Sequence, residues 1–249
     1  MKPVATVFID TNILKFSAVK KYVLHPKIAS VNWGGSDFEM EYFERHTAND
    51  LLRIKHDVQR RDAIALPMLA YAGISDWIKF YYHREVLLES WGLPRMRSAS
   101  GRFFGCTIHE VPDPHPPKSR TIGGGKKKPR EHTIHFLNGL ENRRFIELTR
   151  ATGAYQGTSQ PLNLNQALDA YHIWCAENAK IKYLLTMDYK LKKLVEKSKI
   201  DTPVKVVTPT ELLKLVLPSF GFVNALIFVW KGYRFAKSHL DFDEGKGWR

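Results

Sequence analysis

Two aspartates stand where a run of β-branched and apolar residues ends. Asp10 follows the run Val-Phe-Ile, and Asp188 follows the run Tyr-Leu-Leu-Thr-Met. A carboxylate at the C-terminal tip of a buried strand lies at the mouth of an α/β sheet, where open parallel sheets bind their ligands. A third aspartate, Asp169, lies in an amphipathic helical stretch over 167–179. Three carboxylates at one sheet edge repel each other unless a cation neutralises them, so the pattern predicts a metal-dependent phosphodiesterase site.

Magnesium or manganese is the expected ion, because hard cations take oxygen ligands and keep several waters. Such an ion lowers the pKa of its bound water and neutralises charge that grows on a phosphate, so no protein nucleophile is required. Thr11, Asn12 and Thr186 flank the carboxylates and are expected to orient a ligand or a metal-bound water. A structural alternative stays open for two of the acids, because Asp10 could cap the following helix and Asp188 could begin a turn.

These residues resemble the PIN-domain ribonucleases. The opening of that family resembles residues 8–14 here, and its closing half resembles 168–170, 185–188 and 207–213. The likeness covers roughly the first 20 residues and about 55 residues from position 160 on. It implies an α/β fold with a mostly parallel central sheet flanked by helices on both faces. It also implies a metal-dependent endoribonuclease that hydrolyses single-stranded RNA, with DNA not excluded as a substrate.

One acid of the family has no counterpart in this chain. The family usually carries a glutamate in the helix after the second strand, whereas the corresponding stretch 65–73 contains no carboxylate. Asp76 lies one helical turn beyond Ala72 on the same face, so we expect it to be the fourth catalytic acid. Other candidates are Glu85, Glu141 and Glu147. Because this glutamate is missing, a second function stays open, that of a non-cleaving PIN-like RNA-binding adaptor.

Two further site classes have weaker support. A phosphatase of the haloacid-dehalogenase type also begins with a strand and an aspartate, but it needs an acid two residues later, where this chain has Asn12. A zinc site is disfavoured because the histidines of the middle segment have no matching cysteines and no helical H-x-x-x-H spacing. These histidines are His109, His115, His132 and His135.

The charge of the chain predicts a polyanionic partner. The formal net charge is +13 and the isoelectric point is about 9.7, and basic side chains that neutralise phosphates release condensed counterions. The segment 95–135 is rich in proline and glycine and reads as an irregular basic insertion. We expect it to contact RNA, together with arginines on the next helix and with Tyr155, which could stack on a base. The basic residues are Lys126, Lys127, Lys128, Arg130, Arg143, Arg144 and Arg150.

The 249 residues read as a single PIN-like domain over 1–218, with the insertion around 95–135, followed by a C-terminal helix and tail over 219–249. Cys106 and Cys175 are far apart and form no C-x-x-C pair, so a reducing cytoplasmic location is expected. The apolar stretch 220–230 is too short to span a bilayer, so no membrane partner is expected. The helix that contains it is compatible with a homo-oligomer or another protein partner.

The periodicity of apolar residues, the helix-capping residues, and the glycines and prolines that end elements predict the following strands and helices. Strands are expected at 4–9, 63–66, 182–185 and 204–207, with weaker strand character at 23–32, and Pro67 is expected to stop the second of them. Helices are expected at 12–19, 37–61, 136–152, 161–178, 189–198 and 210–217, with one or two more over 68–91 and helical spacing over 220–237.

Overall fold

The computed structural model of the chain describes residues 3–17, 20–49, 54–86, 102–114, 128–155 and 162–240. A parallel sheet flanked by helices forms its centre, which confirms the expected α/β fold. The strands are β1 (Ala5–Ile9), β2 (Lys20–Trp33), β3 (Ser36–Asn49), β4 (Ile78–Tyr82), β5 (Ile108–Glu110), β6 (Tyr183–Leu185) and β7 (Lys205–Val207). The helices are α1 (Thr11–Ser17), α2 (Asp57–Ile74), α3 (Lys128–Asn138), α4 (Arg143–Ala151), α5 (Leu164–Asn178), α6 (Tyr189–Ser198), α7 (Pro209–Val216) and α8 (Phe222–Leu240).

The five strands of the central sheet are all parallel and follow the order β5-β4-β1-β6-β7. The central strand β1 is the most deeply buried, and Val7, Phe8 and Ile9 expose no surface. Because the strands are parallel, their C-terminal ends share one edge of the sheet, which we call the carboxyl edge. The opposite edge, where the strands begin, is the amino edge. Residues that follow β1, β4, β6 and β7 therefore meet at the carboxyl edge.

Side-chain caps explain why the helices around the carboxyl edge begin where they do. The Asn163 side chain accepts a hydrogen bond from the backbone of Gln166 and starts α5. A capping box joins Thr208 and Glu211 at the start of α7, and Pro209 occupies its first position. The predicted helices in these regions, and the strands β1, β6 and β7 that precede or follow them, are confirmed.

The helix predicted over 37–61 is wrong in its first part. Residues 36–49 form β3, which pairs with β2 in an antiparallel hairpin through a turn at Gly34 and Gly35. Both glycines have positive φ (63° and 84°), a conformation that glycine adopts without steric cost. Phe38, Met40 and Tyr42 alternate with acidic residues at the two-residue period of a strand, and this alternation outweighs the helix propensity of the glutamates.

The short strand predicted over 63–66 is also wrong, because α2 runs from Asp57 to Ile74 and includes Pro67. A proline inside a helix removes one backbone hydrogen bond. Here the loss is offset by burial, since Leu66 and Leu69 on either side of it are fully buried. After α2 the chain turns and enters β4, so the helix predicted over 68–91 is confirmed for 68–74 and 84–86, is wrong over β4, and lies outside the described residues from 87 on.

Part of the expected irregular insertion belongs to the core. Phe103 and Phe104 are buried, and β5 adds a strand to the sheet beside β4. At the other end of the chain, α8 packs along α2, where the Phe228 ring lies 6.1 Å from Tyr71 and 5.5 Å from Trp77. Among the helices in the described part of the chain, none combines the length and the apolar character that crossing a bilayer requires.

Candidate active site

Asp10 is buried at the carboxyl edge, and two neighbouring side chains orient its carboxylate. Its Oδ2 accepts hydrogen bonds from the Thr186 hydroxyl at 2.7 Å and from the Asn12 amide at 2.5 Å. The same amide donates to Thr186 Oγ1 at 2.9 Å, and Asn12 Oδ1 accepts from the backbone of Met187 at 2.9 Å. These bonds link β1, α1 and the end of β6. Asn12 and Thr186 therefore hold the Asp10 carboxylate in one orientation, whereas their expected role was to orient a ligand or a metal-bound water.

Asp188 is attached to the same network. Its backbone N–H donates to Thr186 Oγ1 at 2.9 Å, so one hydroxyl oxygen contacts both the Asp10 carboxylate and the Asp188 backbone. The Asp188 side chain caps α6, because Oδ1 accepts from Lys190 N at 2.8 Å and from Leu191 N at 2.9 Å. Asp188 therefore has a structural role as the N-cap of α6. The cap uses Oδ1 and fixes the carboxylate at the carboxyl edge beside Asp10.

Asp169 reaches the same region from the opposite helix. It lies in α5 three residues before His172, which places the two side chains on one face of the helix, one turn apart. His172 is buried, and its Nδ1 lies 3.7 Å from Asp10 Oδ1. Burial lowers the pKa of His172, against the opposing effect of Asp10, so the ring is neutral near pH 7. Its spacing from His172 places Asp169 on the side of α5 that faces Asp10. Thr11 opens α1 next to Asp10 along the chain.

A second histidine and carboxylate pair lies beside β4. His83 follows β4, is buried, and its Nε2 lies 2.6 Å from Asp113 Oδ1. Its Nδ1 accepts the backbone N–H of Glu85 at 3.2 Å, so Nε2 carries the proton and donates to Asp113. Burial lowers the pKa of His83, although Asp113 opposes the shift. Glu85 is buried next to His83, and of the alternative fourth acids it is the one at the carboxyl edge.

The sequence analysis missed His172, His83 and a further buried acid, Asp62. Asp62 Oδ2 accepts from the Tyr189 hydroxyl at 2.5 Å, and Oδ1 accepts from Thr210 N at 2.8 Å. Burial, with help from Asp62, raises the pKa of the Tyr189 phenol, which keeps it protonated as a donor. Asp62 therefore ties α2 to the starts of α6 and α7.

Signals for two of these residues were present in the sequence. His172 stands one helical turn after Asp169, and His83 follows the end of a strand just as Asp10 does.

A cavity of about 330 Å³ adjoins this acidic edge, and Tyr189 and Asp62 are among its lining residues. Lys192 in its wall forms ion pairs with Glu196 and Glu211. Three further cations line the cavity with exposed side chains. They are Arg61, Lys193 and Lys214. The carboxylates of the carboxyl edge thus lie beside a cavity of mixed charge, in which Glu196 and Glu211 also take part.

Asp76 does not reach the carboxyl edge. It lies two residues before Ile78, which pairs with Ala5 at the start of β1, whereas Asp10 follows the end of β1. The rise of a strand puts roughly 20 Å between the two positions along the sheet. Asp76 lines a different cavity, of about 230 Å³, at the amino edge. The expectation fails because α2 ends at Ile74 and the chain reverses direction there.

Arg143 and Arg144 on α4, which are expected to bind RNA, also lie away from the acids. Arg144 donates to Glu177 at 2.9 and 2.6 Å and to the backbone oxygen of Asp201 at 2.6 Å. Glu177 stands near the end of α5 and Asp201 precedes β7, so this contact lies at the amino edge. The hydrogen bonds raise the pKa of the guanidinium and hold it in the fold. Arg143 is 95% exposed and pairs with Glu147 at 3.3 Å.

We expect the Arg144→Ala variant to lose about 1.5–3 kcal/mol of unfolding free energy, because Glu177 keeps only 10% side-chain exposure and would lose its charged donor. The matched Arg143→Ala variant should stay within about 0.5 kcal/mol of the wild type. Urea unfolding of both variants measures the difference. Equal stability of the two variants would contradict the structural role of Arg144.

The remaining basic candidates fall in two places. Lys126 and Lys127 lie outside the described residues, while Lys128 and Arg130 belong to the first turn of α3. At the far end of α4, the guanidinium of Arg150 lies 5.6 Å from the centre of the Tyr155 ring, which is 39% exposed. Thr152 Oγ1 donates to Gln166 O at the start of α5. This aromatic and cationic pair therefore lies near the end of α5 from which Asp169 projects.

The donor chemistry at the carboxyl edge suits a hard cation. Asp10, Asp169 and Asp188 offer carboxylate oxygens, and magnesium is commonly held by one or two carboxylates together with waters and substrate phosphate. Among the residues that the structure describes, no three His, Cys, Asp or Glu side chains converge closely enough to hold a metal ion. An ion at this edge would therefore take at most two of these carboxylates, with waters and substrate phosphate as its other ligands.

Comparisons with known protein families and with curated proteins find no match for this chain. The geometry of the carboxyl edge therefore carries the functional assignment.

Proposed function

We propose that this protein is a PIN-like, metal-dependent endoribonuclease that hydrolyses phosphodiester bonds of single-stranded RNA. One observation carries the proposal. The buried Asp10 carboxylate and the Asp188 backbone meet at a single hydroxyl, that of Thr186, where two neighbouring parallel strands end. Burying a carboxylate is costly unless it is hydrogen-bonded or binds a cation, so such an arrangement at a ligand-binding edge indicates a functional site.

In this proposal Asp10 and Asp188 bind Mg²⁺ or Mn²⁺ directly, and Asp169 adds negative charge from α5. The ion, when bound, supplies an activated water and charge neutralisation at the scissile phosphate. Neighbouring residues of the chain fix the orientation of the carboxylates. Thr186 and Asn12 fix Oδ2 of Asp10, and this orientation directs the other carboxylate oxygen toward the side of α5. Fixed carboxylates require less reorganisation when charge develops in the transition state.

Neighbouring residues make the site suitable for RNA. The cavity beside Tyr189 offers the exposed side chains of Arg61, Lys193 and Lys214 to backbone phosphates on one flank of the acids. Arg150 and Tyr155 offer a stacking surface near the start of α5, on another flank. These groups replace Arg143 and Arg144 as the proposed RNA path, and the basic segment that contains Lys126 and Lys127 would add uniform electrostatic attraction.

A second function has two observations in its favour. The described residues form no complete protein-only metal cage, and the stretch 65–73 lacks the acid that cleaving members of the resembled family carry. Both facts suit a non-cleaving RNA-binding adaptor. Glu85 is buried at the carboxyl edge and could take the place of the fourth acid in the cleaving alternative. For either function we propose a cytoplasmic location, which is supported by two free and buried cysteines, Cys106 and Cys175.

Labelled single-stranded RNA incubated with the full chain tests the proposal. We expect cleavage in Mg²⁺ or Mn²⁺, its loss in EDTA, and its return when excess metal is added, because the oxygen donors suit hard cations. Titration of Mn²⁺ into the protein, followed by calorimetry, should show binding without RNA. Cleavage that persists in EDTA would disprove the metal mechanism. Binding of RNA with no cleavage in either metal would establish the adaptor function instead.

A further inference from the structure

The β2–β3 hairpin has one apolar and one acidic face. Residues directly opposite each other in an antiparallel pair lie on the same face. The register places Val31 opposite Phe38 and Ala29 opposite Met40. The apolar hairpin face consists of Ala29, Val31, Trp33, Phe38, Met40 and Tyr42, and all of these except Ala29 are exposed large side chains. The other face carries Asp37, Glu39 and Glu41, with Asn32 bonded to Asp37 at 2.7 Å.

This hairpin needs support from outside itself. It forms a two-stranded sheet, and within the described residues neither strand pairs with a third. Isolated two-stranded hairpins are marginally stable in water, and three strands or a packed face are usually required. Trp33 is 81% exposed and Phe38 is 57% exposed, so the face that could supply this packing is uncovered in the single chain. A covering partner would stabilise the hairpin as well as bury its aromatic side chains.

Helix α8 presents a second uncovered apolar surface. Phe228 and Ala236 are buried on the side that packs against α2. A surface helix normally has a single apolar stripe, yet large apolar residues continue around α8 to its solvent side. This outer helix face consists of Phe222, Val223, Leu226, Ile227, Val229, Trp230 and Tyr233, which are 42–80% exposed. A contiguous exposed surface of this kind marks an interaction site.

The hairpin and α8 carry opposite net charges, with the hairpin acids on the face that points away from the apolar hairpin face. The hairpin stretch 27–42 holds three carboxylates and one lysine, so it is acidic in a chain whose net charge is +13. Helix α8 contains Lys231, Arg234 and Lys237 and no acid. The Arg234 guanidinium lies 5.0 Å from the centre of the Trp230 ring, at the margin of the outer helix face. Opposite potentials of this kind steer and align two protein surfaces.

We propose that a second copy of this chain covers both surfaces, with the apolar hairpin face of each copy docked on the outer helix face of the other. The contact is reciprocal, so it closes as a two-fold dimer. Six aromatic side chains of each copy take part, and each exposes on the order of 100 Å². Together with the aliphatic residues they reach the roughly 800 Å² per partner that is typical of a stable interface.

RNA is a poor alternative occupant of the hairpin. Its aromatic residues could stack on bases, but Asp37, Glu39 and Glu41 on the same thin sheet repel phosphates. The dimer proposal is independent of the proposed activity, because no residue of the two surfaces belongs to the candidate active site.

Light scattering of the full chain after size-exclusion chromatography tests the proposal. The wild type should be a dimer that dissociates on dilution. Phe38→Asp on the hairpin and Trp230→Asp on the helix should each raise the dissociation constant at least tenfold, because each places a charge in the apolar contact. Ile28→Asp is the matched control, since Ile28 is 70% exposed but lies on the acidic hairpin face opposite Glu41. It should leave the dimer intact. Unchanged circular dichroism would show that the variants remain folded.

Cross-linking decides which surfaces meet. Met40→Cys and Leu226→Cys are made separately and treated with a short bis-maleimide, while the native Cys106 and Cys175 stay unreactive because they are buried. A cross-linked dimer should form in a mixture of the two variants and in neither variant alone. Cross-linking of either variant with itself would overturn the hairpin-to-helix arrangement. A wild type that is monomeric at all concentrations, including one that binds lipid vesicles as a monomer, would overturn the proposal altogether.

Discussion

Replacing Asp10 with asparagine is expected to reduce RNA cleavage by more than about 10²-fold while the protein stays folded. Asparagine keeps the shape of the side chain and an oxygen that can accept from Thr186, but it removes the negative charge that would hold the cation. Asp10 is buried on the central strand, so no other carboxylate can take its position. Single-turnover cleavage of labelled RNA measures the loss, and Mn²⁺ calorimetry measures the weakened metal binding.

Two further variants sharpen this prediction. Thr186→Val keeps the volume but removes the hydroxyl that joins Asp10 and Asp188, so cleavage should fall about 10–100-fold. Asp201→Asn is the matched control, since it makes the same chemical change on an exposed side chain at the amino edge. Its activity should equal that of the wild type. If Asp10→Asn cleaved RNA as fast as Asp201→Asn, the site assignment would be wrong.

A clear loss of stability is expected for Gly73→Ala. A methyl group on Gly73 would lie 2.3 Å from the Cys106 sulfur and 2.9 Å from the Phe80 ring, both of which are buried. Such overpacking costs about 1–3 kcal/mol, which exceeds the roughly 0.5–1 kcal/mol that alanine gains over glycine in a helix. We therefore expect a net loss of unfolding free energy in urea. The melting temperature should fall by about 2–4 °C for each kcal/mol lost.

Gly232→Ala is the matched comparison, because it adds the same methyl group to another helix. There the new carbon would lie 3.6 Å from Tyr71 and 3.7 Å from Met68, which is ordinary van der Waals contact. This variant should be as stable as the wild type or more stable. Adding Cys106→Ala to Gly73→Ala should restore part of the lost stability. A Gly73→Ala protein that is more stable than the wild type would show that this corner of the core is loosely packed.

The parts of the fold that the sequence predicts are those in which local and global signals agree. β1, β6 and β7 are short β-branched runs, and Asp188 and Thr208 supply caps directly after two of them. The errors arise where the signals conflict. β3 contains glutamates that favour a helix in isolation, and its strand state depends on pairing with β2. Pro67 usually ends a helix, but burial of its neighbours holds α2 together around it.

The residues of the candidate site could be predicted where the strands before them could be predicted. Asp10 and Thr186 follow recognisable strands, so their meeting at one edge could be inferred from parallel topology. His83 stands in the same relation to β4, but the sequence predicts a helix over 68–91, so the sequence alone does not place His83 at the end of a strand. The contact between Arg144 and Glu177 could not be inferred in the same way. Glu177 is far away in sequence, and no local pattern distinguishes an arginine held by a buried glutamate from one exposed to solvent.

The hydrogen bond between Asp10 and Thr186 spans 176 positions of the chain. Contacts between residues so distant in sequence close a long loop and therefore form late in folding. During synthesis at about 5–20 residues per second, roughly ten to thirty-five seconds separate the emergence of the two residues. Throughout that interval the nascent chain carries Asp10 without the residues that orient it. A ribosome-bound fragment that ends before Thr186 therefore lacks the hydrogen bond that orients Asp10, and under the proposed function it would not cleave the messenger being translated.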